Sequence, residues 1–155
     1  MRYLLSFLVA VLLPSIAFAN PPQNTPGPDR FPNGCVDCHV QLPDRDVRLS
    51  TVMKQWSEQV PPALLEKARR VAGSRPLTGR HPAVTRATTD VPVACLSCHG
   101  RESTVAPPLG SLLHAIHLGG GEKNHFIALF DGSCTHCHKV ADDGQLTVAS
   151  GAERP

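Results

Sequence analysis

The sequence Cys35-Val36-Asp37-Cys38-His39 places two cysteines three positions apart and a histidine directly after the second one. The same pattern returns at residues 95–99 and 134–138, and the three copies together use all six cysteines of the chain. Two thiols at this spacing lie on one tight helical turn, and the next residue can then direct its imidazole toward a group that the thiols hold. The repeat therefore predicts three similar sites around which the chain folds.

A C-x-x-C pair followed by histidine is typical of covalently attached haem. The thiols form thioether bonds to the haem vinyl groups, and the histidine binds the iron from one side. We therefore predict three haem c groups, one on each motif. The predicted thioether residues are Cys35, Cys38, Cys95, Cys98, Cys134 and Cys137, and the predicted proximal iron ligands are His39, His99 and His138.

Other uses of paired cysteines fit the pattern less well. Structural zinc takes four ligands, and three isolated pairs, each with its own histidine, do not divide into sets of four. A thioredoxin-like dithiol needs a single motif among alternating strands and helices, which this sequence does not have. Structural disulfides suit an exported protein but leave the three histidines unexplained. Haem attachment is the reading that uses every residue of the motif.

Each haem iron has a second axial position, and the chain has enough further histidines to fill all three. These histidines are His81, His114, His117, His125 and His136. His114 and His117 are three apart in a predicted helix, so they can reach two different irons but not opposite sides of the same iron. His81 lies in a loop next to Pro82, which restricts the local backbone. We predict His81, His114 and His117 as the distal ligands.

The remaining candidates are assigned differently. His125 is the alternative distal ligand, in place of one of those three. His136 lies inside the third motif, where it would point away from its own iron. We interpret it as a surface residue, and a ligand of a neighbouring haem is the alternative. Met53 is the only methionine beyond the N-terminal segment, and it lies on an apolar helix face. We interpret it as a core residue.

The first 19 residues have the pattern of a cleavable secretory signal. Arg2 provides a positive charge, residues 4–13 are almost uniformly apolar, and residues 17–19 form an A-x-A cleavage site. The apolar run is too short to span a bilayer, and no second candidate follows it. We therefore expect a mature protein that begins near Asn20, is periplasmic or extracellular, and has no stable membrane insertion.

The composition predicts a small helical domain with few large core side chains. The chain has five Phe, one Trp and one Tyr but 12 Gly and 15 Pro, which favours turns and short elements. Apolar periodicity predicts a helical hairpin over residues 49–73 and a helix over 109–118. We predict a mainly α fold with extensive irregular loops and little or no sheet, as a single domain over residues 35–140 organised around three haems. A Pro-rich arm (20–34) precedes it, and a frayed polar tail (141–155) follows it.

The charge is nearly balanced, with 15 Lys and Arg against 13 Asp and Glu, so we predict no nucleic-acid binding. Residues 67–89 contain six basic side chains and no acidic one. We interpret this run as a solvated face from which one or two arginines pair with haem propionates. The hairpin at 49–73 has no histidine. We interpret it as a packing module that shields a haem face, and a partner-docking surface is the alternative.

Taken together, the three motifs and the surplus of histidines resemble the multihaem c-type cytochromes. Leu113-His114-Ala115-Ile116-His117, followed by glycines and the third motif, is similar to segments of surface decahaem cytochromes. Small tetrahaem cytochromes likewise use an H-x-x-H pair to ligate two separate haems. The resemblance covers the motif segments and not the helices at 49–73. It implies bis-histidine ligation, haems in near contact and low reduction potentials.

We therefore predict an electron carrier, not an enzyme, that passes single electrons between closely spaced haems and redox protein partners. One alternative is an enzyme in which one haem keeps an open coordination position and reduces a small oxo-compound or a peroxide. A second alternative is a subunit of an extracellular cytochrome filament or electron-transfer complex, in which the chain forms a homo-oligomer. The sequence identifies neither the electron donor nor the acceptor.

Overall fold

The computed structural model describes residues 28–84 and 88–153. The predicted signal segment, residues 20–27 of the Pro-rich arm and Arg86 of the basic run lie outside these residues. Within them, the α-helices are α1 (Cys35–Cys38), α2 (Leu49–Glu58), α3 (Pro62–Ala72), α4 (Leu96–His99), α5 (Leu109–Leu118) and α6 (His125–Phe130). Two strands, β1 (His138–Val140) and β2 (Leu146–Val148), form an antiparallel sheet. The prediction of a small, mainly helical domain with little sheet is confirmed.

None of the helices within these ranges is both long and apolar enough to cross a membrane.

Helices α2 and α3 form where the periodicity predicted them, but they do not pack as the expected hairpin. Pro62 occupies the first turn of α3, where its missing N–H leaves no hydrogen bond unmade. Gly73 follows the last turn with a φ of 62°, a conformation that glycine adopts without Cβ strain. The main packing partner of α3 is α5, not α2. One reason is that the Lys67 side chain of α3 reaches the carboxyl end of α5.

The carboxyl end of α5 is held by side chains from two other elements. Lys67 Nζ donates hydrogen bonds to the carbonyls of Ile116 and Gly119, at 3.0 and 2.9 Å. Asn124 Nδ2 donates to the same two carbonyls, at 2.7 and 2.8 Å. A Cβ atom at Gly119 would lie 2.5 Å from the carbonyl oxygen of Ala115, so the close return of the chain requires glycine here. The helix therefore ends in a fixed position.

Residues after 140 belong to the fold, which differs from the frayed tail that the sequence predicts. Strand β2 pairs with β1, and Val91 and Gly151 exchange two backbone hydrogen bonds of 2.9 Å. The Glu153 carboxylate accepts hydrogen bonds from the backbone N–H and the hydroxyl of Ser50, in the first turn of α2. The small residues make this possible, because a Cβ at Gly151 would lie only 2.8 Å from Cβ of Asn33.

Few side chains are buried in the part of the chain that the structure describes. The buried hydrophobic residues there are Val36, Ala72, Val91 and Ala149. The exposed large hydrophobic residues are Val93, Leu96, Val105, Leu118, Leu129, Val140, Leu146 and Val148. Protein interiors are normally packed densely by large apolar side chains. Among the described residues, no Leu, Ile, Phe, Met or Trp side chain is buried, and several apolar side chains lie exposed.

Candidate functional site

Each of the three motifs forms one helical turn. The first is α1, and the second runs from the 3₁₀ turn Val93–Cys95 into α4. The third is the 3₁₀ turn Cys134–His136, which leads directly into β1. The two thiols of each motif therefore lie on one turn, as the spacing predicts. All six cysteines are free thiols.

Four of the motif thiols, which are the less exposed ones, have raised pKa values. Burial, helped by the nearby Cys137 and Cys95, raises the pKa of Cys35 to about 11. Burial is also the main reason that the pKa values of Cys38, Cys95 and Cys137 are raised. Reactive redox dithiols have lowered pKa values, so these pairs do not resemble them. Because Cys137 acts on both Cys35 and Cys38, the first and third motifs are neighbours.

Each motif histidine lies beside one further histidine, and each has a different partner. The ring pairs are His39 with His117, 6.2 Å between centroids, His99 with His81, 5.9 Å, and His138 with His114, 5.9 Å. Metal–imidazole bonds of about 2 Å on opposite sides of one metal put the two ring centroids about 6 Å apart. The observed separations match this value. The structure thus brings the three predicted distal residues to the three predicted proximal ones, one for each motif.

Hydrogen bonds orient four of these six rings. In each of the four, the ring Nδ1–H donates to a backbone carbonyl. His39 donates to the carbonyl of Val47 (2.8 Å), His117 to that of Leu113 (3.0 Å), His99 to that of Pro107 (2.7 Å) and His81 to that of Pro82 (2.8 Å). In each ring Nε2 is then the nitrogen with a free lone pair, which is the usual arrangement of a metal-bound histidine. Burial lowers the pKa of His39, His81 and His117, which favours the neutral form that binds metals.

The carbonyl that orients His39 lies in a segment braced by an ion pair. The Arg48 guanidinium donates to the Asp46 carboxylate at 2.9 and 3.0 Å, and the Thr51 hydroxyl donates to it at 2.7 Å. Arg48 and then Thr51 hold the pKa of Asp46 well below its usual range. Val47 lies between the two paired residues, so its carbonyl is fixed where the Nδ1–H of His39 meets it.

One helix and one loop supply the three partner histidines. His114 and His117 both lie on α5, and they face different motifs, as their spacing of three predicts. His81 lies in a loop that is attached to the end of α2. Its backbone N–H donates to the Trp56 carbonyl at 2.8 Å, and the Val60 N–H donates to the Gly79 carbonyl at 2.8 Å. His81 is therefore positioned by backbone hydrogen bonds of its loop, whereas α5 is held by side chains of Lys67 and Asn124.

Two histidines are not paired with a motif histidine. His136 donates through Nε2–H to the Phe130 carbonyl at 2.9 Å, and its ring lies 4.3 Å from that of Phe31 and 6.0 Å from that of Phe126. It is thus half-buried among phenylalanines, which corrects its interpretation as a surface residue. The alternative ligand His125 is exposed, and its ring contacts no other aromatic ring within the described ranges.

Several residues that position the site were not predicted. Asn124 accepts a hydrogen bond from the Phe126 N–H at 3.0 Å and so caps α6. An Asn before the apolar run was a local signal that could have found this cap. Lys67 and Glu153 act on elements far away in the chain, and nothing in their neighbouring sequence indicates those contacts.

Among the described residues, no three His, Cys, Asp or Glu side chains come together in a way that could hold a metal ion. The imidazoles instead meet in pairs, each pair beside a motif with two thiols. Such an arrangement can supply two opposed nitrogen donors to a metal and two attachment points to an organic group around it. The chain matches no protein-family model, no curated protein and no solved structure.

Proposed function

We propose that the protein binds three haem groups covalently through its three motifs and transfers electrons between redox proteins outside the cytoplasm. The observation that carries the proposal is the pairing of each motif histidine with its own second histidine at about 6 Å. A chance cluster of histidines would not divide into three pairs with one motif member in each. Export is proposed from the signal pattern at residues 1–19.

The residues fit haem in both their type and their number. Each motif has two free thiols on one helical turn, which suit the two vinyl groups. Each pair has two imidazoles, which suit the two axial positions of the iron. The pairs that would hold the three irons are His39 with His117, His99 with His81, and His138 with His114. Exposed apolar residues beside the motifs, such as Leu96 and Leu118, suit the apolar haem surface.

Electron transfer is favoured over catalysis because the chain supplies nitrogen donors to both axial positions at every site. Haem bound in this way supplies one-electron oxidation and reduction of its iron. The protein contributes neutral imidazoles whose Nδ1–H groups donate to carbonyls, as His39 does to Val47. Such hydrogen bonds increase the basicity of the ligand. A more basic ligand stabilises the ferric state, so low reduction potentials are expected.

We propose that electrons pass between the three sites within one chain, and the nearness of their thiols supports this. The Cys35 thiol is close enough to those of Cys137 and Cys95 for both to help raise its pKa. The first and third sites also share α5, on which His114 and His117 are three residues apart. Because this helix holds one ligand of each site, the relative position of these two sites is fixed by a single rigid element.

The intact mass of the protein, produced in a cell with a haem-attachment system, tests the proposal. We expect the mature chain without residues 1–19 and with three covalent haems. Cys98→Ser leaves only one thioether on the second motif, so a fraction of the chains should lack that haem in the intact-mass spectrum while the other two haems remain. A wild-type mass with fewer haems, or stoichiometric zinc released by acid, would contradict the proposal.

A further inference from the structure

The β1–β2 hairpin that follows the third motif has one apolar face and one polar face. In its antiparallel register His138 lies opposite Val148, and Val140 lies opposite Leu146. Residues directly opposite each other point to the same side of a sheet, and alternate residues along a strand share a face. His138 and three large apolar side chains are therefore on one face. Lys139 and Thr147 are on the other.

The two faces differ in how well they are covered. On the polar face, Lys139 Nζ forms an ion pair with Asp29 at 2.8 Å and also donates to the Thr135 carbonyl. On the apolar face the exposed fractions are 67% for Val140, 73% for Leu146 and 48% for Val148. Exposed apolar side chains concentrated on one small face usually mark a surface that binds something.

The position of His138 indicates what covers this face. Its ring belongs to the same face as Val148 and is paired with His114, so a metal held between these two rings would lie on this side of the hairpin. Three apolar side chains also expose far less surface than the about 800 Å² that each partner contributes to a standard protein interface. A flat apolar group attached at Cys134 and Cys137 suits the face better than a second protein.

We infer that the apolar face of the β1–β2 hairpin is a wall of the third haem site, formed by Val148, Val140 and Leu146. This inference rests on the proposed function. It gives the residues after 140 a role in the site, although they lie beyond the last motif. Among the three, Val148 lies directly across from His138, and its substitution should have the largest effect.

A pair of charge variants tests the inference. Val148→Asp places a carboxylate on the apolar face, and Thr147→Asp places the same charge on the polar face of the same strand. Both are made in the His114→Ala background, in which the third iron should be open and should bind carbon monoxide when reduced. This label identifies the third haem in a redox titration, carried out well above the ordinary carboxyl pKa.

A nearby negative charge favours the ferric iron, so Val148→Asp should lower the midpoint potential of the labelled haem. The expected change is about a tenfold rise in the ratio of oxidised to reduced haem at the original midpoint, or about 59 mV. Thr147→Asp should change this ratio by less than about twofold because it lies on the far face. Val148→Thr preserves the side-chain shape and should shift the potential in the same direction by less, which keeps the test decisive if the Asp variant does not fold.

Equal shifts for Val148→Asp and Thr147→Asp in a protein that carries three haems would overturn this inference alone. So would an unchanged potential together with a change in sedimentation mass, since that result would make the face an interface with a second copy. A wild-type protein without a haem on Cys134 and Cys137 would overturn the proposed function and this inference together.

Discussion

Helix α5 and the loop that carries His81 solve the same problem in different ways. The helix presents two histidines to two motifs, and its carboxyl end is held by four hydrogen bonds from Lys67 and Asn124. The loop presents one histidine to one motif and is attached to the end of α2 by two backbone hydrogen bonds. A disturbance of α5 should therefore spread to two sites, whereas a disturbance of the loop should stay at one.

The largest difference between helix and loop is expected from two glycine variants. In Gly119→Val the new Cβ would meet the Ala115 carbonyl at 2.5 Å, so the end of α5 must shift and both of its histidines move. In Gly79→Val the strain arises from a φ of 81° and costs about 1–2 kcal/mol, but only the His81 loop is affected. Carbon monoxide titration of the reduced variants should approach two molecules per chain for Gly119→Val and one for Gly79→Val. Equal carbon monoxide stoichiometries for the two variants would show that α5 and the His81 loop do not differ in this way.

Substitutions of single histidines show which ring serves which site. His114→Ala and His117→Ala should each open one iron, and the double variant should open two, because the two rings face different motifs. His81→Ala should open the iron of the second site alone. Low-temperature EPR counts the high-spin irons in each variant. His125→Ala and His136→Ala are the matched controls and should remain fully low-spin. If His125→Ala opens a site instead, the pairing of rings described above is not the ligation.

Local periodicity predicted the helices well, since α2, α3 and α5 each follow an apolar pattern that can be read within one segment. It could not predict that α3 packs against α5, because that contact depends on Lys67 meeting carbonyls far away in the chain. Local periodicity also could not predict that the chain around Gly151 is part of the fold. The contacts there are made by backbone atoms and small side chains, which leave no apolar pattern in the sequence.

Some features of the candidate site could likewise be predicted from the sequence, and others depend on the tertiary fold. The three motifs, and the division of His114 and His117 between two motifs, could be derived from spacing alone. Spacing does not predict which motif histidine each of these residues faces, because His39 and His117 meet only through the tertiary fold. The sequence also does not predict that the carbonyls of Val47 and Pro107 accept these hydrogen bonds. Every residue has a carbonyl, and its direction depends on the surrounding backbone.

A smaller effect is expected when the clamp on α5 is weakened without a steric clash. Lys67→Met removes two hydrogen bonds and a favourable charge at the helix carboxyl end, while Asn124 keeps its bonds to the same carbonyls. The free energy of unfolding should fall by about 1 kcal/mol. Asn124→Ala should cost about 1 kcal/mol more than this, because it also removes the cap of α6. Urea denaturation measures both, and a Lys67→Met protein as stable as wild type would show that the clamp is unimportant.

The smallest effect concerns the segment that orients His39, and it depends on pH. Arg48 and Thr51 lower the native pKa of Asp46, so its ionised form stabilises the fold. This stabilisation is present above the ordinary carboxyl pKa of about 4 and is lost as the pH falls through the lowered native value. Asp46→Asn should therefore be less stable than wild type at neutral pH, and the difference should shrink in acid. Chemical denaturation between about pH 7 and about pH 3 measures it, and a difference that stays constant with pH would contradict this role.

The central claim is that three metal centres each lie between two histidines, two of them sharing α5. EPR spectroscopy of the fully oxidised wild-type protein, with haem content set by intact mass, tests this most directly. We expect low-spin ferric signals that integrate to three per chain and no high-spin signal. A high-spin signal from one third of the iron would contradict it, because at least one of the pairs formed by His39, His99 and His138 would then not enclose a metal.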